Sequence, residues 1–214
     1  MGFVNKETKG EAWPVTLKYG VDERREVYAS VAPVAWIRRR AGTSRGPGDL
    51  TLGFRQSYPQ DDPLGPVDLT PATLFAVSLP TGDDHVRGGH EEGNFYAAGI
   101  LDGSEESFDW TMYYEFQVLG EDGTWDFTTQ HLASFTVSSM LDETIDLSGF
   151  AELAYLAETS SEDTTYLQAG VAFPGGKSTV WDVSLRDGIE GKDSNREFHL
   201  GFTHNFGRRR VADG

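Results

Sequence analysis

The sequence contains no cysteine, which excludes disulfide staples and thiolate metal sites. It is short of basic residues: 18 Lys and Arg stand against 34 Asp and Glu, a formal net charge of -16. A nucleic-acid partner is therefore excluded, because phosphate binding needs clustered positive charge. The runs Arg38-Arg39-Arg40 and Arg208-Arg209-Arg210 are too short to reverse that balance and read as a solvated strand end and a tail. No stretch approaches the roughly 20 apolar residues that a membrane-spanning helix needs. No window has the period of an amphipathic helix. The opening residues Met1 to Gly10 lack the apolar segment of a secretory leader.

What is present is alternation. Residues 196–206 read Arg-Glu-Phe-His-Leu-Gly-Phe-Thr-His-Asn-Phe. Phe198, Leu200, Phe202 and Phe206 share one side of a strand, with His204 in the same row; Glu197, His199, Gly201, Thr203 and Asn205 share the other. Apolar outside and polar inside is the pattern of a transmembrane β-barrel strand, which needs only about 9–11 residues with alternate positions apolar. A mean hydropathy of -0.43 therefore does not argue against membrane insertion.

Eleven strands are predicted, near 12–19, 26–37, 49–58, 71–79, 94–101, 108–118, 125–138, 147–157, 165–173, 178–186 and 196–206. The clearest is 108–118, where Phe108, Trp110, Met112, Tyr114, Phe116 and Val118 alternate with polar residues and Tyr113. Gly, Pro, Asp and Asn mark the connections, as in Pro47-Gly48-Asp49, Glu121-Asp122-Gly123 and Pro174-Gly175-Gly176-Lys177. No linker divides the chain, so residues 1–214 form one domain. If the last strand ends on the periplasmic side, the connections 38–48, 81–93, 119–124, 158–164 and 187–195 are extracellular, and 20–25, 59–70, 102–107, 139–146 and 174–177 are periplasmic. An even strand count with both ends periplasmic is the rule. One strand is then expected before residue 12, with 1–11 its remnant or a loop, and 207–214 a tail.

The expected fold is all-β, an antiparallel up-and-down transmembrane β-barrel of about 12 strands, the first missing or partial. Alternation places Lys18, Arg55, Tyr113, Glu115, Gln117, Gln130, Glu152, Gln168, Asp182, Arg186, Glu197 and His199 toward the lumen. Such a charged interior is either a salt-bridged plug or a narrow polar pore. Trp13, Trp36, Tyr58, Trp110, Trp125, Trp181 and the terminal Phe206 lie near strand ends, where aromatic rings sit at head-group depth. The rival is a soluble lipocalin-like barrel in which the same aromatics point inward around a small apolar ligand. A barrel-embedded lipid-modifying enzyme would need a serine within reach of a histidine. His131 lies near Ser134 and Ser138 in sequence but on the lipid side, and His199 faces inward. No Gly-x-Ser-x-Gly elbow is present, so no catalytic residue is assigned. Asp83, Asp84, His85, His90, Glu91 and Glu92 have no calcium or zinc spacing and read as a solvated loop. No metal or cofactor is expected.

Several segments carry a resemblance in order: Pro14 to Arg24, Ala32-Pro33, Gly48-Asp49-Leu50-Thr51-Leu52-Gly53, Leu79-Pro80-Thr81-Gly82-Asp83, Gln168-Ala169-Gly170-Val171, Trp181-Asp182-Val183-Ser184 and Gly201 to Phe206. Over residues 14–206 the chain resembles the outer-membrane β-barrel "transporter" proteins of Gram-negative bacteria grouped as the phenol meta-pathway degradation family. The resemblance implies a place in the cell outer membrane and passage of small solutes, aromatic or hydrophobic ones among them. It also implies lipid around the barrel and a terminal aromatic read by the outer-membrane assembly machinery. This chain departs from the family in having no signal peptide, no first strand and the tail Gly207–Gly214.

Overall fold

The computed structural model describes residues 4–5, 8–39, 42–59, 68–83, 86, 93–120, 127–159, 162–190 and 196–204, with side chains from Ala12 onward except those of 37–39. These residues hold thirteen strands and no helix. They are β1 (Val4–Asn5), β2 (Thr8–Gly20), β3 (Arg25–Arg39), β4 (Gly42–Gly46), β5 (Leu50–Ser57), β6 (Asp68–Leu79), β7 (Asn94–Ser104), β8 (Asp109–Gly120), β9 (Phe127–Asp142), β10 (Leu147–Glu158), β11 (Thr164–Gly176), β12 (Thr179–Glu190) and β13 (Arg196–His204). All pair antiparallel with sequence neighbours in one up-and-down sheet, the order broken only where β5 continues past β4 along β3.

Every one of the eleven expected strands is found, most of them longer than expected by a few residues. Some of the added ends, such as Asp102 to Ser104 and Asp187 to Glu190, are largely polar and carry little alternation to read, whereas β9 gains Ser139 to Asp142, with Met140 and Leu141. The stretch 38–48, expected to be a connection, contains β4. Its Gly-Thr-Ser-Arg-Gly sequence offers no apolar row, so only pairing with Ala35–Arg39 of β3 makes it a strand.

β2, β3 and β5 to β13 alternate in direction through ten steps, so β2 and β13 run the same way. An antiparallel closure needs a strand running opposite to both. β1 has that direction and pairs with β2 through Val4↔Lys9 and Asn5↔Thr8. Among the described residues no pairing joins β13 back to β1 or β2.

The faces are inverted relative to a soluble protein. On β13, Phe198, Leu200 and Phe202 are 66 %, 63 % and 66 % exposed, whereas the Arg186 and Glu197 side chains on the other face are 19 % and 20 % exposed. Leu52 and Phe54, Phe75 and Val77, Met112 and Tyr114, Leu153 and Tyr155 continue the exposed apolar face around the sheet. The polar face is concave. Glu115 on β8 lies in electrostatic reach of Tyr28 on β3 and Tyr166 on β11, four and three places away in the strand order. Such strands would be roughly 14–19 Å apart on a flat sheet. Ala72, Ala76, Ala98 and Ala154 lie buried on this face, leaving room for long side chains to lie across it.

The short turns at one end are set by aspartates. Asp142 accepts a hydrogen bond from the Thr144 N–H at 2.8 Å, and Asp146 takes a φ of 52°, which Asp tolerates better than most residues. Asp22 accepts from the backbone N–H groups of Arg24 and Arg25 at 2.9 and 2.8 Å and from Arg25 Nε at 2.6 Å. The Arg25 guanidinium foremost, then those N–H groups, hold the Asp22 carboxyl below its ordinary range. Its contribution to the turn is therefore present at neutral pH and is lost as pH falls through the lowered value. A carboxyl-carbon NMR titration should give Asp22 a midpoint below that of a free surface carboxylate; an ordinary midpoint would mean the pairing does not hold in solution.

Candidate functional site

The concave polar face is organised in register rows running across the strands. One row reads Tyr28, Gly53, Ala76, Tyr96, Gln117, Gln130. The next reads Glu26, Arg55, Leu74, Ala98, Glu115, Leu132. The third carries Ile100, Tyr113, Ser134, Ala154 and Tyr166, and the fourth Asp102, Thr111, Thr136, Glu152, Gln168, Arg186 and Glu197. His199 and Asp182 lie on further rows of the same face, paired with Ser184 and Gly201. Thus all twelve residues that alternation places toward the lumen (Lys18, Arg55, Tyr113, Glu115, Gln117, Gln130, Glu152, Gln168, Asp182, Arg186, Glu197 and His199) share one face, Lys18 lying opposite Tyr28.

Three polar clusters are assembled there. Glu115, 9 % exposed, accepts hydrogen bonds from the Tyr113 hydroxyl and from Gln117 Nε2. Positions 113, 115 and 117 are same-face neighbours on β8, so the cluster follows directly from period two. Arg55 crosses from β5 over β6 to Asp102 on β7 at 2.9 Å, and Asp102 also accepts from the Thr111 hydroxyl at 2.8 Å. Arg186 forms the third. It donates to Gln168 Oε1 through Nε and Nη2 at 3.1 and 3.0 Å, pairs with Glu197 at 3.6 Å and stacks on the Tyr166 ring at 4.3 Å from its centroid. Gln168 in turn donates to the Ser184 hydroxyl at 2.8 Å, and Glu197 contacts His199 Nε2 at 3.2 Å.

The members of this face that alternation did not single out include Tyr28, Tyr96, Tyr166, Asp102, Thr111 and Ser184. Aromatic residues are assigned by default to the apolar row, which hides the three tyrosines. The signal that finds them is phase: Tyr28 shares its parity with Glu26, Tyr96 with Asn94 and Tyr166 with Gln168. Tyr28 also needs Gly53 opposite it, because a Cβ there would overlap the phenol ring.

The outer face carries the edge aromatics. Trp13 and Trp36 meet edge-on at 5.8 Å toward the end that bears the long 81–93 connection, with Arg45 over the Trp36 ring at 5.7 Å. Tyr58, Trp110 and Trp181 lie toward the short-turn end, Trp110 near Phe135 at 6.4 Å and Trp181 near Phe202 at 5.3 Å. Trp110 lies over Gly103 and Trp181 over Gly175, where a side chain would collide with the indole. Trp125 and Phe206 lie outside the described residues, as do Asp84, His85, His90, Glu91 and Glu92. His131 is on the outer face, where its Nδ1 is 2.8 Å from the Tyr114 hydroxyl and its ring packs on Phe116. Ser134 and Ser138 are on the opposite face, so no serine–histidine pair forms on β9.

Two of the sequence motifs are brought together at the long-loop end. The Asp49 carboxylate accepts from the Gly82 N–H at 2.8 Å, and the Thr81 hydroxyl accepts from the Leu50 N–H at 3.0 Å. The Asp83 N–H reaches the Pro47 carbonyl at 2.9 Å. A Cβ on Gly82 would come within 2.7 Å of the Gly48 backbone, so the close approach requires glycine. The Gly-Asp-Leu and Leu-Pro-Thr-Gly-Asp segments are thus two halves of one clamp that fixes where the 81–93 connection leaves β6.

No curated protein matches the chain. A family model does, over residues 12–206, which takes in β3 to β13, most of β2, the clamp and all three polar clusters. On that match the chain belongs to the family described as "Putative MetA-pathway of phenol degradation".

Proposed function

We propose that this protein is an outer-membrane β-barrel whose polar interior admits small solutes. The observation that carries the reading is the inversion of faces: large apolar side chains stand exposed while charged side chains are partly covered on the concave side. In water such an apolar belt is an aggregation hazard. In a bilayer it is the required outer surface, about 25 Å tall and flanked by aromatic girdles. The rival soluble barrel needs its large apolar aromatics inside, whereas Trp13, Phe54, Phe75, Phe135 and Trp181 stand exposed on the outer face and the aromatics on the polar side are mainly tyrosines. The enzyme reading needs a serine bonded to a histidine; on β9 the two are on opposite faces, and the inward Ser184 and His199, though cross-strand partners, are turned to Gln168 and Glu197.

In this reading lipid covers the Phe135, Leu153 and Leu167 side, and the assembly machinery recognises the end of the last strand. The short-turn end is periplasmic. A solute would move past the Glu115, Arg55 and Arg186 clusters, so its passage is controlled by polar groups.

Heat-modifiability tests this. Refolded in detergent, the unboiled chain is expected to run faster on a gel than the boiled one, to show β-sheet circular dichroism and to raise the conductance of a planar bilayer. A monodisperse, folded protein in plain buffer would overturn the membrane reading.

A further inference from the structure

We infer that the interior holds a binding site for small organic cations, an aryl or alkyl ammonium, centred on Glu115; this rests on the reading of the concave face as the lumen. The Glu115 row lies between two rows that carry tyrosines: Tyr28 and Tyr96 on one side, Tyr113 and Tyr166 on the other. All four rings are half-buried on the concave face and each lies within electrostatic reach of the Glu115 carboxylate.

Among the described residues nothing cancels the charge of Glu115. Its two hydrogen-bond donors, Tyr113 and Gln117, are neutral. Among the described residues no Lys, Arg or His forms an ion pair with it, the neighbouring Arg55 and Arg186 being turned to Asp102 and Glu197. Neutral donors leave the attraction of the carboxylate for a cation in place.

The tyrosine faces supply the second half of the recognition. A π-face attracts a positive charge, and rings grouped around a carboxylate are the arrangement that recognises ammonium groups. The chain already uses one of these rings so: the Arg186 guanidinium lies 4.3 Å from the Tyr166 ring centre. Glu152, two residues along β10 from Ala154 and within reach of Tyr166, adds negative charge on the periplasmic side of the site. A neutral phenol would gain the ring contacts but not the carboxylate, and an anion would be repelled.

Calorimetric titration of the full chain, refolded in a non-ionic detergent, tests the site with phenyltrimethylammonium, benzyl alcohol and benzoate. The cation is expected to bind at least about tenfold more tightly than the other two. Glu115→Gln should remove about tenfold of that affinity, and Tyr113→Phe, which keeps the ring, should retain the preference for the cation. Should Glu115→Gln fail to fold, the wild-type preference and its loss on Glu152→Gln decide. A heat-modifiability gel on the same samples separates the two levels. A formed barrel that binds all three probes alike, or binds none, overturns the cation site alone; a chain that forms no barrel overturns both readings.

Discussion

Leu153→Arg is expected to destabilise the lipid-embedded protein by about 2–4 kcal/mol, although Leu153 is already 51 % exposed. The residue lies mid-strand on β10, in register with Phe135 on β9 and Leu167 on β11. In a water-soluble protein a substitution at so open a position costs no more than about 0.5 kcal/mol. In a bilayer the same position faces hydrocarbon, where a guanidinium must snorkel or drag water with it. Thr136→Lys, on the polar face in register with Glu152, is the control and should change stability by less than about 1 kcal/mol. Guanidinium unfolding in lipid vesicles, followed by tryptophan fluorescence, measures both. Equal small effects at the two positions would sink the assignment of the apolar face to lipid.

Arg186 and Glu197 are expected to be coupled by about 1–2 kcal/mol in a double-mutant cycle of Arg186→Met and Glu197→Gln, with little loss in high salt. Their side chains are 19 % and 20 % exposed and 3.6 Å apart, so the pair is neither solvated nor fully dry. Removing Arg186 also costs Gln168 Oε1 its donor and Tyr166 its stacked cation, while leaving Glu197 beside His199. That is why the single arginine variant should cost more than the glutamate variant. The size of the coupling distinguishes the two interiors. A coupling below about 0.5 kcal/mol that vanishes with salt is what an open, water-filled pore gives, whereas a persistent one marks a lumen narrowed by its own side chains. Measured beside single-channel conductance, it tells whether this cluster is a constriction or merely lines the wall.

Much of this was legible without a structure because a β-strand has a period of two. Once Leu52 and Phe54 are put on one side, Arg55 must be on the other; once Trp110, Met112 and Tyr114 are, so must Tyr113, Glu115 and Gln117. Turn chemistry placed the hairpins, and hairpins of this length fix antiparallel order. Eleven through-strands, the up-and-down order and the polar face therefore followed from local rules. Where a segment has no alternation the rules are silent. β4 was invisible in Gly42–Gly46 for that reason, and so were the polar extensions of β7 and β12.

Period two alone assigns each side chain to a face, apolar or polar, and sets its same-strand neighbours. Which members of a face meet across strands depends on how the strands come together in space. Tyr28 and Glu115 are 87 residues apart and Asp49 and Gly82 33 apart; nothing in period or spacing links either pair. Those meetings depend on pairing register, which a one-residue slip would change, and on the curvature that rolls β3, β8 and β11 toward one another. Register is a sum over many weak cross-strand contacts and curvature is a property of the whole sheet. Neither is stored in any one strand, and so the polar face was readable, with the Tyr113–Glu115–Gln117 cluster inside one strand, while the clusters that join different strands were not.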